Sequence, residues 1–276
     1  MKRTLLVINN NSGNASSVDE DVLAAALEAG GFQIECQISL PDDDLPIRAA
    51  VKARGFDTIA VCAGDGTVST LCSKLAGWQG EVLVLPGGTM NLLSRRLNGE
   101  HLLPELLKML SDMSDQAISV PVIKIGETEI FTGLTVGPST RWGKVREGIR
   151  QADITSLSET VPEAWSETLG DDGVWLDGAK REAYAGIFIE PLDGRNLSVI
   201  AFKANSLGDM VNHGLAWLRH DFREGPREEL GVMHSVTVVG DYTQTGTLVD
   251  GEYQDCILPL TCKAAMSSIR FLRIAG

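Results

Sequence analysis

The chain has 276 residues, 43% of them hydrophobic and 22% charged. That composition excludes a wholly disordered or fibrous protein, and the length suits two domains better than one. With 37 acidic and 24 basic side chains the formal charge is −13, so neither nucleic-acid binding driven by phosphate neutralisation nor constant adhesion to anionic lipid is expected.

The cysteines, Cys36, Cys62, Cys72, Cys256 and Cys262, are odd in number and form no CxxC pair. They read as free thiols of a reducing compartment. The apolar run Leu5–Ile8 is too short for a signal-peptide core, and no stretch approaches the roughly 20 apolar residues of a membrane span. A soluble, cytoplasmic protein is expected.

In chain order, residues 4–8 read as a buried strand broken by Asn9-Asn10-Asn11-Ser12-Gly13. Ser17-Val18-Asp19-Glu20 reads as a capping box. The helix after it carries Val22, Leu23, Ala26 and Leu27 at helical spacing and stops at Gly30-Gly31. Phe32, Ile34, Cys36 and Ile38 alternate with polar residues as in a half-buried strand. A helix over about 46–54, a strand over 57–63, a helix over 67–76, a strand over 82–85 and a helix over 101–113 complete the first part. Strand, loop and helix in alternation imply a parallel sheet with helices on both faces. Ligands of such sheets bind outside the carboxyl ends of the strands, where Ser12-Gly13, Gly64 and Gly87-Gly88 fall.

Near residue 117 the pattern changes. Strands are expected over 118–125, 128–136, 182–190, 197–203, 232–239, 246–249 and 269–274, with helices over about 141–152 and 206–220. Residues 153–177 read as an exposed acidic loop region. The expected architecture is an α/β domain over 1–118 followed by a β-rich, sandwich-like domain over 119–276. Whether the last strand returns to the first domain is left open.

Two segments carry chemistry. In Ala63-Gly64-Asp65-Gly66-Thr67 the glycines permit close backbone approach, and the Thr67 hydroxyl with nearby N–H groups suits phosphate oxygens. Asp65 adds a carboxylate suited to a hard cation that bridges to phosphate. By itself this stretch reads first as a tight turn with Asp65 as a helix cap. Pro86-Gly87-Gly88-Thr89-Met90-Asn91, with Arg95-Arg96 beyond, is a second strand–glycine–helix junction. Neither a P-loop nor a GxGxxG fingerprint is present. The four histidines are scattered, so no transition-metal site is expected.

The ordered set of NxxSG at 9–13, GDGT at 64–67, PxGTxN at 86–91 with Arg95, and Asp250-Gly251-Glu252 resembles the diacylglycerol kinase catalytic-domain family. That family includes sphingosine and ceramide kinases and is related to NAD kinases. The resemblance implies an ATP- and Mg²⁺-dependent lipid kinase, a transferase of phospholipid metabolism that acts on diacylglycerol or a similar hydroxyl lipid. It further implies nucleotide contacts at Asn9, Ser39, Gly64, Asp65, Gly66, Thr67, Gly88, Thr89 and Asn91, metal at Asp65, and catalytic roles for Asp65 and for Glu252 as general base. The chain departs from the family pattern at Asn10, Ala63 and Leu92. An NAD kinase-like enzyme and a nucleotide-binding protein without transferase activity stay open as alternatives.

The expected partner is a lipid met in transient, peripheral membrane contact. A homodimer is left open. Residues 141–150 hold four bases and one acid, and Trp142, Val145 and Ile149 fall on one helical face. They read either as an interfacial element or as an ordinary core-facing helix with a solvated basic side.

Overall fold

A computed structural model of the chain describes residues 1–11, 19–112, 116–141, 173–202, 227–250 and 252–274. The chain divides into two compact units. The first comprises Met1–Val120 with Met266–Gly276, the second Pro121–Ala265.

In the first unit, β1 (Lys2–Asn9), β2 (Phe32–Leu40), β3 (Thr58–Ala63), β4 (Glu81–Pro86) and β16 (Arg270–Leu272) form a parallel sheet in the order β16-β4-β3-β1-β2. Both faces of its central strands are apolar, so the strands read as continuous hydrophobic runs. Leu6, Ile8, Ala60, Cys62, Leu83 and Leu85 join one core with Leu23 and Leu27 of α1 (Glu20–Ala29) and Leu106 of α5 (Leu103–Met109). Leu5, Val7, Ile59, Val61, Val82 and Val84 alternate to the other face and are equally buried. The connection β1→β2 runs one way along the sheet, and β2→β3→β4 runs back. Right-handed crossovers therefore set α1 on one face and α2 (Arg48–Arg54) and α3 (Asp65–Lys74) on the other.

Several boundaries differ from those the sequence suggests. α1 is capped by Asp19, whose carboxylate accepts from the N–H groups of Asp21 and Val22; Ser17 of the expected capping box lies outside the described residues. α2 starts at Arg48 rather than Pro46. The 67–76 helix starts two residues earlier, because Gly64 is its cap and Asp65 its first residue. A short helix, α4 (Leu92–Asn98), stands where none is expected. The 101–113 helix ends at Met109 and tightens into a 3₁₀ turn over Leu110–Asp112.

The last strand joins this sheet beside β4, with Phe271 and Leu272 fully buried. The outgoing and returning segments are clasped together. Ile118 and Phe271 exchange backbone hydrogen bonds of 2.9 and 2.7 Å. Ser267 N–H donates to the Val120 carbonyl at 2.8 Å, and the Val120 N–H donates to Ser267 Oγ at 3.0 Å.

The second unit holds two sheets. One orders β11 (Arg227–Met233), β10 (Asn196–Phe202), β9 (Gly186–Asp193), β7 (Leu134–Val136), β13 (Gln244–Val249) and β14 (Glu252–Ile257). The other orders β6 (Thr128–Ile130), β5 (Pro121–Ile125), β15 (Leu260–Met266), β12 (Ser235–Gly240) and β8 (Val174–Leu176). Leu134, Val136, Ile187, Ile189 and Val199 of the first sheet share a core with Ile123, Val236, Val238, Cys262 and Ala264 of the second, which is the packing of a β-sandwich. Two expected single strands are each split between sheets. The 128–136 run becomes β6 and β7, and the 232–239 run falls across β11 and β12. β8 lies inside the expected acidic loop region, and β14 and β15 were not expected. The expected helices over 141–152 and 206–220 lie outside the described residues, apart from Arg141, which ends a 3₁₀ turn over Pro138–Arg141. Among the described residues no helix is long and apolar enough to cross a membrane.

Candidate active site

The strand order reverses direction between β1 and β3, the place where open α/β sheets bind ligands beyond the carboxyl ends of their strands. Asn9 ends β1 and Gly64 follows β3 at that point. The Asn9 amide bridges the two, donating from Nδ2 to Thr67 Oγ1 at 2.8 Å while Oδ1 accepts from the Asn11 N–H at 3.1 Å. The Thr67 hydroxyl is thus an acceptor towards Asn9 and keeps its own proton to donate.

α3 opens directly out of this loop. Its first ladder bond runs from the Val68 N–H to the Gly64 carbonyl at 3.1 Å. Helix geometry therefore leaves the N–H groups of Asp65, Gly66 and Thr67 outside the i→i−4 ladder, aimed at the strand ends with the positive end of the helix dipole. The expected picture of Asp65 as a possible cap does not hold, since Gly64 takes that place. The Asp65 carboxylate instead accepts from the Leu93 N–H at 3.3 Å and so ties α3 to the start of α4.

The second glycine loop lies against the first. The Gly87 N–H donates to the Ala63 carbonyl at 3.2 Å. A Cβ at Gly87 would stand 2.6 Å from Ala63 N, and one at Gly88 would stand 2.5 Å from Gly64 Cα. These are backbone atoms that cannot swing away, so only glycine permits the approach. Asn91 closes the loop. It sits in the left-handed region at φ 52°, accepts from the Gly88 N–H at 2.7 Å and donates to the Gly88 carbonyl at 2.8 Å. Its own carbonyl receives the Arg95 N–H at 2.9 Å. Asn91 is therefore a builder of the loop, a role that its place in PxGTxN does not reveal. Thr89 is exposed beside it.

Of the sequence-derived residues, the first unit thus gathers Asn9, Gly64, Asp65, Gly66, Thr67, Gly88 and Asn91 into one connected cluster, with Thr89 in the same loop. Ser39 lies one strand over, paired with Ile8 at the same end of the sheet. Its N–H is held by Asp43 at 2.8 Å, and its hydroxyl accepts from Gln37 at 3.1 Å.

Glu252 belongs to the second unit, where it is exposed at the start of β14 and paired with Val249. The turn before it is fixed by Asp250, which is buried at φ 47°. Asp250 accepts from the N–H groups of Phe131, Thr132 and Gly133 at 3.2, 2.7 and 3.3 Å and from the Thr132 hydroxyl at 2.8 Å. The sequence names Asp250 only as part of a motif. The signal for its role is an acid directly before a glycine, between two strands that must be turned.

Among the described residues no three His, Cys, Asp or Glu side chains come together as a metal cage. The Asp65 carboxylate beside the helix N–H groups nonetheless fits Mg²⁺, which is commonly held by one or two carboxylates and otherwise by water and substrate phosphate.

The fold and this cluster define a class: an α/β unit with two glycine loops packed at the switch point of a parallel sheet, linked to a β-sandwich unit. Residues 3–125 match the family model of the diacylglycerol kinase catalytic domain. The resemblance carried by the motifs is thereby borne out. No curated protein matches the chain. Among solved structures, two crystal structures from Bacillus anthracis str. Sterne that carry the name diacylglycerol kinase are similar. One is 17% identical with a TM-score of 0.64, the other 16% identical with a TM-score of 0.65. In each case 99% of this chain and 97% of the other are covered. At such identity the likeness establishes the two-part fold.

Proposed function

We propose that the protein is an ATP-dependent lipid kinase that transfers the γ-phosphoryl group to a hydroxyl of diacylglycerol or a similar lipid. The observation that carries this reading is the contact of two glycine loops at the switch point, inside the segment that matches the catalytic domain. The N–H groups at 64–67 and 88–89 would cradle the phosphates, with Asn9 and Thr67 at their edge. Mg²⁺, held by Asp65 and phosphate oxygens, would neutralise charge on the phosphoryl group.

Glu252 takes the proton of the lipid hydroxyl as its oxygen bonds to the γ-phosphorus, and the bond from that phosphorus to the ADP oxygen breaks. The acceptor is met at a membrane surface by a cytoplasmic protein in transient contact.

The test is transfer of radiolabelled phosphate from ATP to a panel of neutral hydroxyl lipids in mixed micelles with Mg²⁺, with NAD as a further acceptor. Label is expected in lipid, and Glu252→Gln should abolish turnover while ATP affinity holds. ATP binding without transfer to any lipid would refute the reading, and label in NAD would redirect it to that acceptor.

A further inference from the structure

The opposite end of the first unit's sheet holds a second candidate site. An open cavity of about 820 Å³ lies at the amino ends of β1, β4 and β16, within the size range of small-molecule sites. Lys2, Arg48, Lys52 and Arg270 line it, against two carboxylates, Asp57 and Glu81. This balance is the reverse of the chain's overall −13.

Both carboxylates are already engaged. Glu81 takes Lys2 at 2.7 Å and Arg270 at 3.4 Å, and Asp57 accepts the Arg3 main-chain N–H at 2.9 Å. Arg48 and Lys52 are left with no carboxylate partner among the described residues. They are four residues apart on α2, so they share a face.

The wall around them is built rather than incidental. Arg48 donates from Nη1 to the Ala76 carbonyl at 2.7 Å, which leaves most of its guanidinium N–H groups to donate elsewhere. Gly77 at φ 75° makes room for it, since a Cβ there would stand 2.9 Å from Nη1. The Trp78 ring, 5% exposed, folds over Gly80, where a Cβ would stand 2.1 Å from it. A fixed guanidinium, a second cation one turn along and an aromatic wall together suit a ligand with a doubly charged phosphate.

We propose that this basal cavity binds a small phosphate-bearing anion in solution, with Arg48 and Lys52 as its charged contacts. The site is independent of the glycine-loop cluster. The strands between the two ends are six to eight residues long, or about 20–26 Å at 3.3 Å per residue.

That separation makes Trp78 a local reporter. The full chain is labelled with 5-fluorotryptophan, and the Trp78 resonance is assigned by Trp78→Phe among the five tryptophans. Titration with inorganic pyrophosphate should shift this resonance saturably. The shift should survive Thr67→Ala, which alters the glycine-loop cluster alone. It should fall at least tenfold in apparent affinity in the Arg48→Ala/Lys52→Ala variant, whose replaced side chains are exposed and leave the core intact. No saturable shift, or a shift unchanged in the double variant, would overturn the proposal. A response to phosphatidylglycerol vesicles but not to pyrophosphate would overturn it as well, because the ligand would then be a lipid surface.

Discussion

Asn91 offers the sharpest test of how the second glycine loop is held. Its amide makes two hydrogen bonds to one residue, at 2.7 Å to the Gly88 N–H and at 2.8 Å to the Gly88 carbonyl. Each such bond contributes about 1 kcal/mol net. Its φ of 52° is tolerated by Asn and costs other side chains about 1 kcal/mol. Asn91→Ala removes both bonds and keeps a Cβ in the left-handed region, so the loss should be about 3 kcal/mol. Asn91→Asp keeps the acceptor and the backbone tolerance but replaces the donor with a carboxylate oxygen that opposes the Gly88 carbonyl, so it should cost at least about 1 kcal/mol. Urea unfolding of the full chain should rank wild type above Asp and Asp above Ala. Hydrogen exchange should accelerate in peptides covering 86–98 more than in those of the sandwich unit. Nucleotide affinity should fall in both variants, and Asp should lose more than its stability predicts, because in the proposed site the new charge would face phosphate. An Asn91→Ala protein within about 0.5 kcal/mol of wild type, with unchanged exchange over 86–98, would refute the assignment of Asn91 as the residue that closes the loop.

Further outcomes follow from other contacts. Asp250→Ala strips the acceptor from three main-chain N–H groups, at Phe131, Thr132 and Gly133. It should destabilise the sandwich unit by about 3–5 kcal/mol; a melt that matches wild type would show that these bonds are dispensable. Burial pushes the Cys62 and Cys262 thiols up to about 12 and Cys256 to about 11. Native protein at pH 8 should therefore release colour from Ellman's reagent first at Cys36, with Cys62 and Cys262 reacting only on unfolding; early modification of Cys62, mapped by mass spectrometry, would contradict this. Glu35 is held below the usual carboxylate range, chiefly by its hydrogen bonds from Arg3 at 2.7 and 2.8 Å. A lowered folded pKa means that the stabilisation is present at neutral pH and is lost as pH falls through that lowered value. Glu35→Gln should thus be less stable than wild type at pH 7 and converge with it in acid; a gap that widened in acid would reverse the sign.

Much of the candidate site was legible because its signals are local. Gly64-Asp65-Gly66-Thr67 and Gly87-Gly88 are glycines placed directly after apolar runs, and such runs end where a strand meets a loop. Boundaries were less legible where two signals compete. Asp19 and Ser17 both suit a helix cap, and Asp19 was the one to take it. α4 was missed because Leu92–Asn98 is a single short stretch with two arginines and a serine in place of a clear stripe, and it gains its place by burying Leu93 and Leu97. In the second unit, short apolar runs do not say which sheet they join. The step from β6 to β7 and the step from β11 to β12 each change sheet within a few residues, which period-two alternation does not encode.

The sequence by itself determined the alternation that makes the first part a parallel α/β unit, the β-rich character of the second, and the residue types that line the glycine loops. Those follow from nearest-neighbour chemistry: hydrophobic period, turn residues and caps. Only the tertiary structure decided that Arg270–Leu272 returns across 145 intervening residues of the second unit to complete the first sheet. It also decided that Gly88 lies against Gly64, that Asn9 reaches Thr67, and that Lys2, Arg48, Lys52 and Arg270 meet around one basal cavity. These are contacts between residues far apart in the chain. They are fixed by how much apolar surface a given strand order buries, a quantity that belongs to the whole fold and to no single segment.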